Sequence, residues 1–402
     1  MKSMVKILVV TIVIGFFGCR TSNNDDGDGS VTESLVNGNK MFTGSFKDIK
    51  SDIRTIPLSS LVENCELLKL DRSTDDAFFK LNWTTVTDNY IGVAQWRGYP
   101  YLLFDRSGKF LNKVGSIGQG PGEYSKTIHS DLIDEKNGLI YLAFFQSDRI
   151  FVYDLSGKFK KYFVVPFELN KPKIFLSDSI LTAIHMNHFK QEQRPVALQF
   201  DVNNGALIKE LAPLEHLIIN DFYTTSFSNR NISGIFDFFQ TKFLPIPETD
   251  TLYHFDVKKC ILKPFFTMGR NPVEKTWFIY YQLNKDLVFT SIEYMDPELG
   301  YHVRKALIAT DLKNKTSSYI RVVNDYYGNM TVPFNYDLFS NGYFVWNLQP
   351  EELMEEIEKR LAESDCTEND KQALLKTLST LKENENNVIF IGKLKNETQK
   401  LW

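Results

Sequence analysis

Short apolar runs separated by polar turns recur along most of the chain, and an apolar strand ending in aspartate marks each repeat. The clearest copies read Tyr101-Leu-Leu-Phe-Asp105-Arg-Ser-Gly108-Lys109 and Ile150-Phe-Val-Tyr-Asp154-Leu-Ser-Gly157-Lys158. Weaker copies are Ala197-Leu-Gln-Phe-Asp201-Val-Asn-Asn-Gly205, Leu252-Tyr-His-Phe-Asp256-Val-Lys-Lys and Leu307-Ile-Ala-Thr-Asp311-Leu-Lys-Asn. The aspartates therefore step by 49, 47, 55 and 55 residues. Aspartate before such a turn can accept the turn's backbone N–H groups, and glycine tolerates the positive φ of a tight hairpin. Two more apolar stretches precede each copy; in the second repeat they are 129–134 and 138–145, around the turn Glu135-Lys136-Asn137-Gly138. Four short antiparallel strands in about fifty residues is the size of a β-propeller blade. First strands starting near Trp83, His129, Lys173, Phe222, Thr276 and Phe334 predict six blades.

The sixth blade lacks a fourth strand of its own. Its second strand, Tyr343–Asn347, is followed by a helical pattern and then by a third strand, Val388–Leu394, close to the chain end. The unassigned strand Cys65–Leu70 is a candidate to fill the gap, which would leave no open sheet end around the ring. Within 350–384, Leu353, Ile357 and Leu361 recur at helical spacing, as do Leu374, Leu375, Leu378 and Leu381. Two amphipathic helices joined near Asp365–Asp370 are expected between the second and third strands. That loop belongs to the face carrying the blade-to-blade connections, so the hairpin should cap part of it. The expected fold is all-β: one six-bladed propeller of four-stranded antiparallel blades over 51–402, with a helical hairpin inserted in the last blade.

The N-terminus reads differently. Lys2 and Lys6 precede an apolar run from Ile7 to Phe17, closed by Gly18-Cys19. The run is too short to span a bilayer and suits a signal-peptide core. Phe16-Phe17-Gly18-Cys19 is similar to a bacterial lipobox, with Phe16 where leucine is commonest; it implies a signal peptide over 1–18 and lipidation of Cys19. The polar, acidic stretch Arg20–Gly29 opens a flexible tether expected to run to residue 50. A net charge of −4 and the lack of a basic stripe argue against nucleic-acid binding. Cys65, Cys260 and Cys366 form no metal or disulfide framework and are expected as free thiols, with at most one disulfide among them.

At this point the chain resembles the six-bladed β-propeller lipoproteins common in Bacteroidetes, related in form to NHL-repeat propellers. The residues that carry the likeness are Gly115-Ser-Ile-Gly118-Gln-Gly120-Pro121-Gly122-Glu123-Tyr124, directly after the Asp105–Lys109 hairpin and before Asp131-Leu-Ile-Asp134. The resemblance spans roughly 50–395 and implies an envelope propeller anchored to the outer membrane on its periplasmic or outer side. It fixes no chemistry, because such propellers include both binding modules and enzymes.

Topology then selects candidate site residues on the face of the blade connections: Trp96, Arg97, Gln119, Glu123, Tyr124, Gln146, Asp148, Arg149, His185, His188 and Arg270. Aromatic, amide and guanidinium groups around a concavity suit a sugar or peptide ligand. His185 and His188 are the closest histidine pair, but at this spacing in a strand they face opposite ways. No metal or cofactor is expected. His129 and Asp131 share one face of an inner strand beside the channel, a geometry usable for acid–base work or simply a polar channel lining. The glycine run lacks the following helix of a dinucleotide fingerprint; it reads as a tight crossover or as a backbone nest for an anion. No GxSxG, HExxH or Walker sequence is present.

The leading expectation is a lipid-anchored propeller that binds a glycan, peptide or protein partner without catalysis. The alternatives are a hydrolase or lyase at the channel mouth, and a structural subunit of an outer-membrane assembly.

Overall fold

The computed structural model describes residues 30–45, 48–79, 81–96, 98–186, 194–213, 225–227, 235–240, 251–269, 276–295, 298, 302–333 and 338–396. Four strands precede the first blade: β1 (Val31–Val36), β2 (Asn39–Ser45), β3 (Ile53–Pro57) and β4 (Glu66–Lys69). Blade one is β5 (Leu81–Val86), β6 (Tyr90–Gln95), β7 (Tyr101–Asp105) and β8 (Phe110–Val114). A short parallel pair, β9 (Ser116–Ile117) and β10 (Glu123–Tyr124), leads to blade two. That blade is β11 (Ile128–Asp134), β12 (Leu139–Phe144), β13 (Ser147–Asp154) and β14 (Phe159–Leu169). Blade three is β15 (Lys173–Ser177), β16 (Ile180–Ile184), β17 (Ala197–Asp201) and β18 (Leu207–Leu211).

Blade four is β19 (Thr225–Phe227), β20 (Ile235–Gln240), β21 (Leu252–Asp256) and β22 (Ile261–Gly269). Blade five is β23 (Thr276–Gln282), β24 (Leu287–Met295), β25 (His302–Asp311) and β26 (Thr316–Asn324), extended by β27 (Met330–Thr331). Blade six is β28 (Phe339–Ser340), β29 (Tyr343–Leu348), β30 (Val388–Lys393) and, antiparallel to β30, β4. The molecule is thus a six-bladed propeller, and two helices near the C-terminus interrupt the last blade.

Each blade is buried on both faces by its neighbours, which explains why middle strands such as β6 and β7 are continuous apolar runs instead of alternating ones. The outermost strands meet water on one side and alternate, as in Phe159–Leu169. One apolar cluster fills each blade interface. Trp83, Tyr101 and Leu103 of blade one pack with Ile133, Ile140 and Phe144 of blade two. Val86, Ile91 and Phe104 of blade one pack with Tyr343, Val345 and Ile389 of blade six, so the ring is closed by the same kind of core.

The Asp–Ser–Gly turns hook one blade to the next. Asp154 Oδ1 accepts the N–H groups of Ser156 and Lys158, both at 3.0 Å, and Asp105 holds Ser107 and Lys109 in the same way. Gly157 then lies against the carbonyl of Lys113 at the end of β8, and its own carbonyl accepts Gly115 N–H at 3.0 Å. Gly108 repeats this against Lys69 at the end of β4, accepting Asp71 N–H at 2.8 Å. The strand from the N-terminal segment therefore stands to blade one as β8 stands to blade two.

The expected tether does not extend to residue 50. Val31–Ser45 is a hairpin turned by Asn37 and Gly38, both at positive φ (50° and 77°). An Asn-Gly pair between two short strands is a strong hairpin signal, because both central residues of a type I′ turn need positive φ. β2 runs parallel to β22 from Phe42↔Phe266 to Ser45↔Gly269, and β3 runs parallel to β26. The segment covers the outer edges of blades four and five before completing blade six.

Helix α1 (Pro350–Ala362) begins with proline and a capping box between Gln349 and Glu352. Helix α2 (Glu368–Leu378) begins with another between Thr367 and Asp370. Leu353, Ile357 and Leu374 are fully buried over the connection between blades five and six. Arg360 binds the pair down: its Nε donates to the carbonyl of Gly328 at 3.0 Å, and its other nitrogens meet Glu363, Asp365 and Asp370.

Candidate functional site at the channel mouths

The blade connections and the loops between second and third strands share one face of the ring. Most candidate residues within the described part lie on that face, some exposed and others occupied within the protein. Trp96 is 61% exposed on the β6–β7 loop, whose base is held by buried Gln95 donating to the Pro100 carbonyl at 2.7 Å. Gln119 is exposed on the crossover. Glu123 folds back over that crossover, its Oε2 accepting Gly120 N–H at 2.8 Å. The glycine nest thus holds a carboxylate, and the carboxylate is its own.

Tyr124 is buried. Its hydroxyl donates to Val114 O and accepts Tyr101 N–H, both at 2.7 Å, and burial pushes its pKa up. His185 is buried at 2% exposure, with Nε2 donating to Pro195 O at 2.6 Å and its ring against Phe167. Placement at the edge of the core therefore removes Tyr124 and His185 from the open ligand surface expected of them. Gln146, Asp148 and Arg149 are exposed. The Gln146 carbonyl accepts Lys126 Nζ, and Arg149 stacks over Tyr162 at 4.7 Å. Arg97, His188, Arg270 and Cys19 lie outside the described residues. Cys65, Cys260 and Cys366 are free thiols.

Between blades one and two, Asp131 accepts Trp83 Nε1 at 2.9 Å and Tyr101 Oη at 2.6 Å. His129 is directed elsewhere, its Nδ1 donating to Pro172 O at 3.1 Å. The two residues share an inner strand but make no acid–base pair with each other. Among the described residues, no group of three or more histidine, cysteine or carboxylate side chains gathers in a way that could hold a metal ion.

The opposite face carries the turns between first and second strands. There a cavity of about 750 Å³ is lined from blades one, two, three, five and six, by residues that include Asp88, Glu135, Leu176, Asn284 and Tyr343. The corresponding turn of blade four lies outside the described residues. Local turn chemistry positions this rim. Asp134 accepts Asn137 N–H and Nδ2 at 3.2 and 2.7 Å. Glu135 reaches back to blade one and accepts Asn89 N–H at 2.8 Å and Nδ2 at 2.5 Å. Burial works to raise the Glu135 pKa, but the bonds from Thr87 and Asn89 outweigh it and hold the carboxyl below its usual range.

Asp88 joins blades one and six. The Tyr343 hydroxyl and Lys393 Nζ, the latter at 3.0 Å, both donate to its Oδ1 and lower its pKa. The Tyr343 ring lies 5.8 Å from both the Lys393 ammonium and the Arg106 guanidinium. None of these residues was selected from the sequence. Their only signal was topological: polar turns that look generic one at a time converge once the ring closes.

Residues 46–393 match a family described as a domain of unknown function, DUF4934. The chain belongs to this family. Among solved structures, this DUF4934 chain is similar to a Bacteroides fragilis NCTC 9343 protein assigned as exported. The TM-score is 0.57 at 15% identity, covering 86% of this chain and 100% of the other. A weaker likeness, TM-score 0.45 at 12% identity, is to a DUF4221-family protein of Bacteroides vulgatus ATCC 8482, covering 84% and 98% of the two chains. No curated protein matches the sequence. The propeller fold of this DUF4934 chain rests on its own six blades. Among its described residues, no helix is long and apolar enough to cross a membrane.

Proposed function

We propose that this DUF4934 propeller is a non-catalytic binding module of the bacterial envelope, anchored through a lipid on Cys19, that takes a small ligand at the mouth formed by its first turns. The observation that carries the reading is the cavity lined from blades one, two, three, five and six. Its volume suits a ligand of several hundred daltons, and its lining combines leucine and isoleucine wall with a charged and amide-bearing rim. The carboxylates on its rim spend their acceptor capacity on turn N–H groups, asparagine, tyrosine and lysine. A general base instead needs a lone pair aimed at substrate.

The site moves from the face chosen on sequence grounds to the opposite mouth, and glycans or peptides remain ligand classes to screen. The signal-like N-terminus and the B. fragilis protein assigned as exported support an envelope location. A thermal-shift screen of the purified protein against oligosaccharides, peptides, small organic anions, divalent metals and chelator tests the binding reading. A ligand at 100 times its Kd adds about 2.7 kcal/mol and raises the Tm visibly. A shift produced by metal and reversed by chelator would favour the hydrolase reading instead. The anchor is tested by Cys19→Ala, which should abolish labelled fatty-acid incorporation and release the protein from membranes.

A further inference from the structure

We infer that the first-turn mouth selects small organic anions with an apolar body, such as alkyl or aryl carboxylates and sulfonates; this rests on the ligand-binding reading of the same cavity. Two features of the lining carry the inference. The first is apolar wall: Leu132, Ile133, Leu176, Leu283 and Leu394 all border the cavity, and Ile133, Leu283 and Leu394 are themselves buried. A wholly polar ligand would leave this surface against water.

The second feature is the distribution of charge. Lys136, Lys285, Lys393 and Lys395 border the cavity against the three carboxylates Asp88, Asp134 and Glu135. The whole chain carries −4, so this rim reverses the sign of the molecule. The carboxylates are engaged by neighbouring groups, although Asp88 itself stays exposed. Asp88 is held by Tyr343 and Lys393, Asp134 by Asn137, and Glu135 by Asn89. Lys393 is paired with Asp88, but Lys136 and Lys395 are less committed. Lys136 is exposed and makes no ion pair among the described residues, and Lys395 donates to a neutral carbonyl, that of Ser59, at 2.7 Å. Lys285 is exposed, with Asp286 at 3.9 Å. An anionic head entering this mouth would meet ammonium groups, while its apolar body would meet leucine and isoleucine. A cationic head would find the carboxylates already engaged.

The test is calorimetric titration of the full protein with octanoate and naphthalene-2-sulfonate, each paired with its neutral amide, octanamide and naphthalene-2-sulfonamide. Both anions should bind more tightly than their amides, and raising NaCl from 50 to 500 mM should weaken the anions only. Lys136→Gln should weaken both anions severalfold and leave the amides and the Tm of the free protein unchanged, since Lys136 lies on an exposed turn. Amides that bind as tightly as the anions, or anion binding indifferent to the substitution, would overturn the inference and leave the cavity as a ligand site. Binding of a neutral oligosaccharide with no binding of either anion would do the same. No binding by any of these would remove both the inference and the ligand-binding reading.

Discussion

Gly157 carries two constraints at once. It sits at φ +82°, and a Cβ built there would lie 2.1 Å from the Lys113 carbonyl of the preceding blade. Gly205 ends the equivalent turn of blade three at φ +77° with nothing within 4 Å of the added atom. Gly205→Ala should therefore cost only the left-handed backbone, about 1 kcal/mol. Gly157→Ala should cost about 3 kcal/mol or more, because the hook between blades one and two must open as well. Urea denaturation of both variants measures the difference, and equal losses would deny the hook its role. The Asp–Ser–Gly pattern was plain in the sequence. Its contact with the previous blade was not, since Lys113 and Gly157 meet only after both blades have formed.

At the scale of elements, the strands and the helical hairpin were legible because their signals are local: apolar runs bounded by turn residues, and leucines at helical spacing with caps. What draws the helices onto the ring was hidden. Arg360 lies among charged residues that read as a solvated helix face, yet it is 7% exposed and donates to Gly328 O and to Asp370. Arg360→Met should cost about 2 kcal/mol, since it leaves the Gly328 carbonyl unpaired and takes the cation from buried Asp370, which keeps Thr367 and Asn329, while Glu363 and Asp365 still reach water. Hydrogen exchange should quicken across 350–378 and stay unchanged in blades two and three; a uniform change would contradict local docking. The N-terminal hairpin was misjudged for a different reason. The acidic run before it dominates the composition of this stretch, and the Asn37-Gly38 turn is a two-residue signal between short, mostly exposed strands.

For the whole molecule, the carboxylates at the turns make stability depend on acid. Hydrogen bonds from Ser156 hold Asp154 below its usual range, the Ser73 amide does so for Asp71, and Lys263 does so for Asp256. A depressed folded-state pKa gives stability that is fully present above the unfolded value and lost as pH falls through the folded one. The Tm should hold from pH 7 to about 5 and fall below about pH 4. Asp154→Asn should reduce that acid-side loss, and a Tm that fell first near pH 6 would point to histidines instead. The ring itself was legible from repeat length and strand count. The cavity was not, because its residues come from turns hundreds of positions apart and each turn alone is ordinary.

The placement of ligand binding at the first-turn mouth is tested most directly by hydrogen–deuterium exchange of the full protein with and without a ligand that raises its Tm. Protection should gather at 87–89, 133–136, 283–286, 341–343 and 393–396. Protection confined to 96–100 and 115–124, on the face of the blade connections, would contradict the account and return the site to the face first chosen from the sequence.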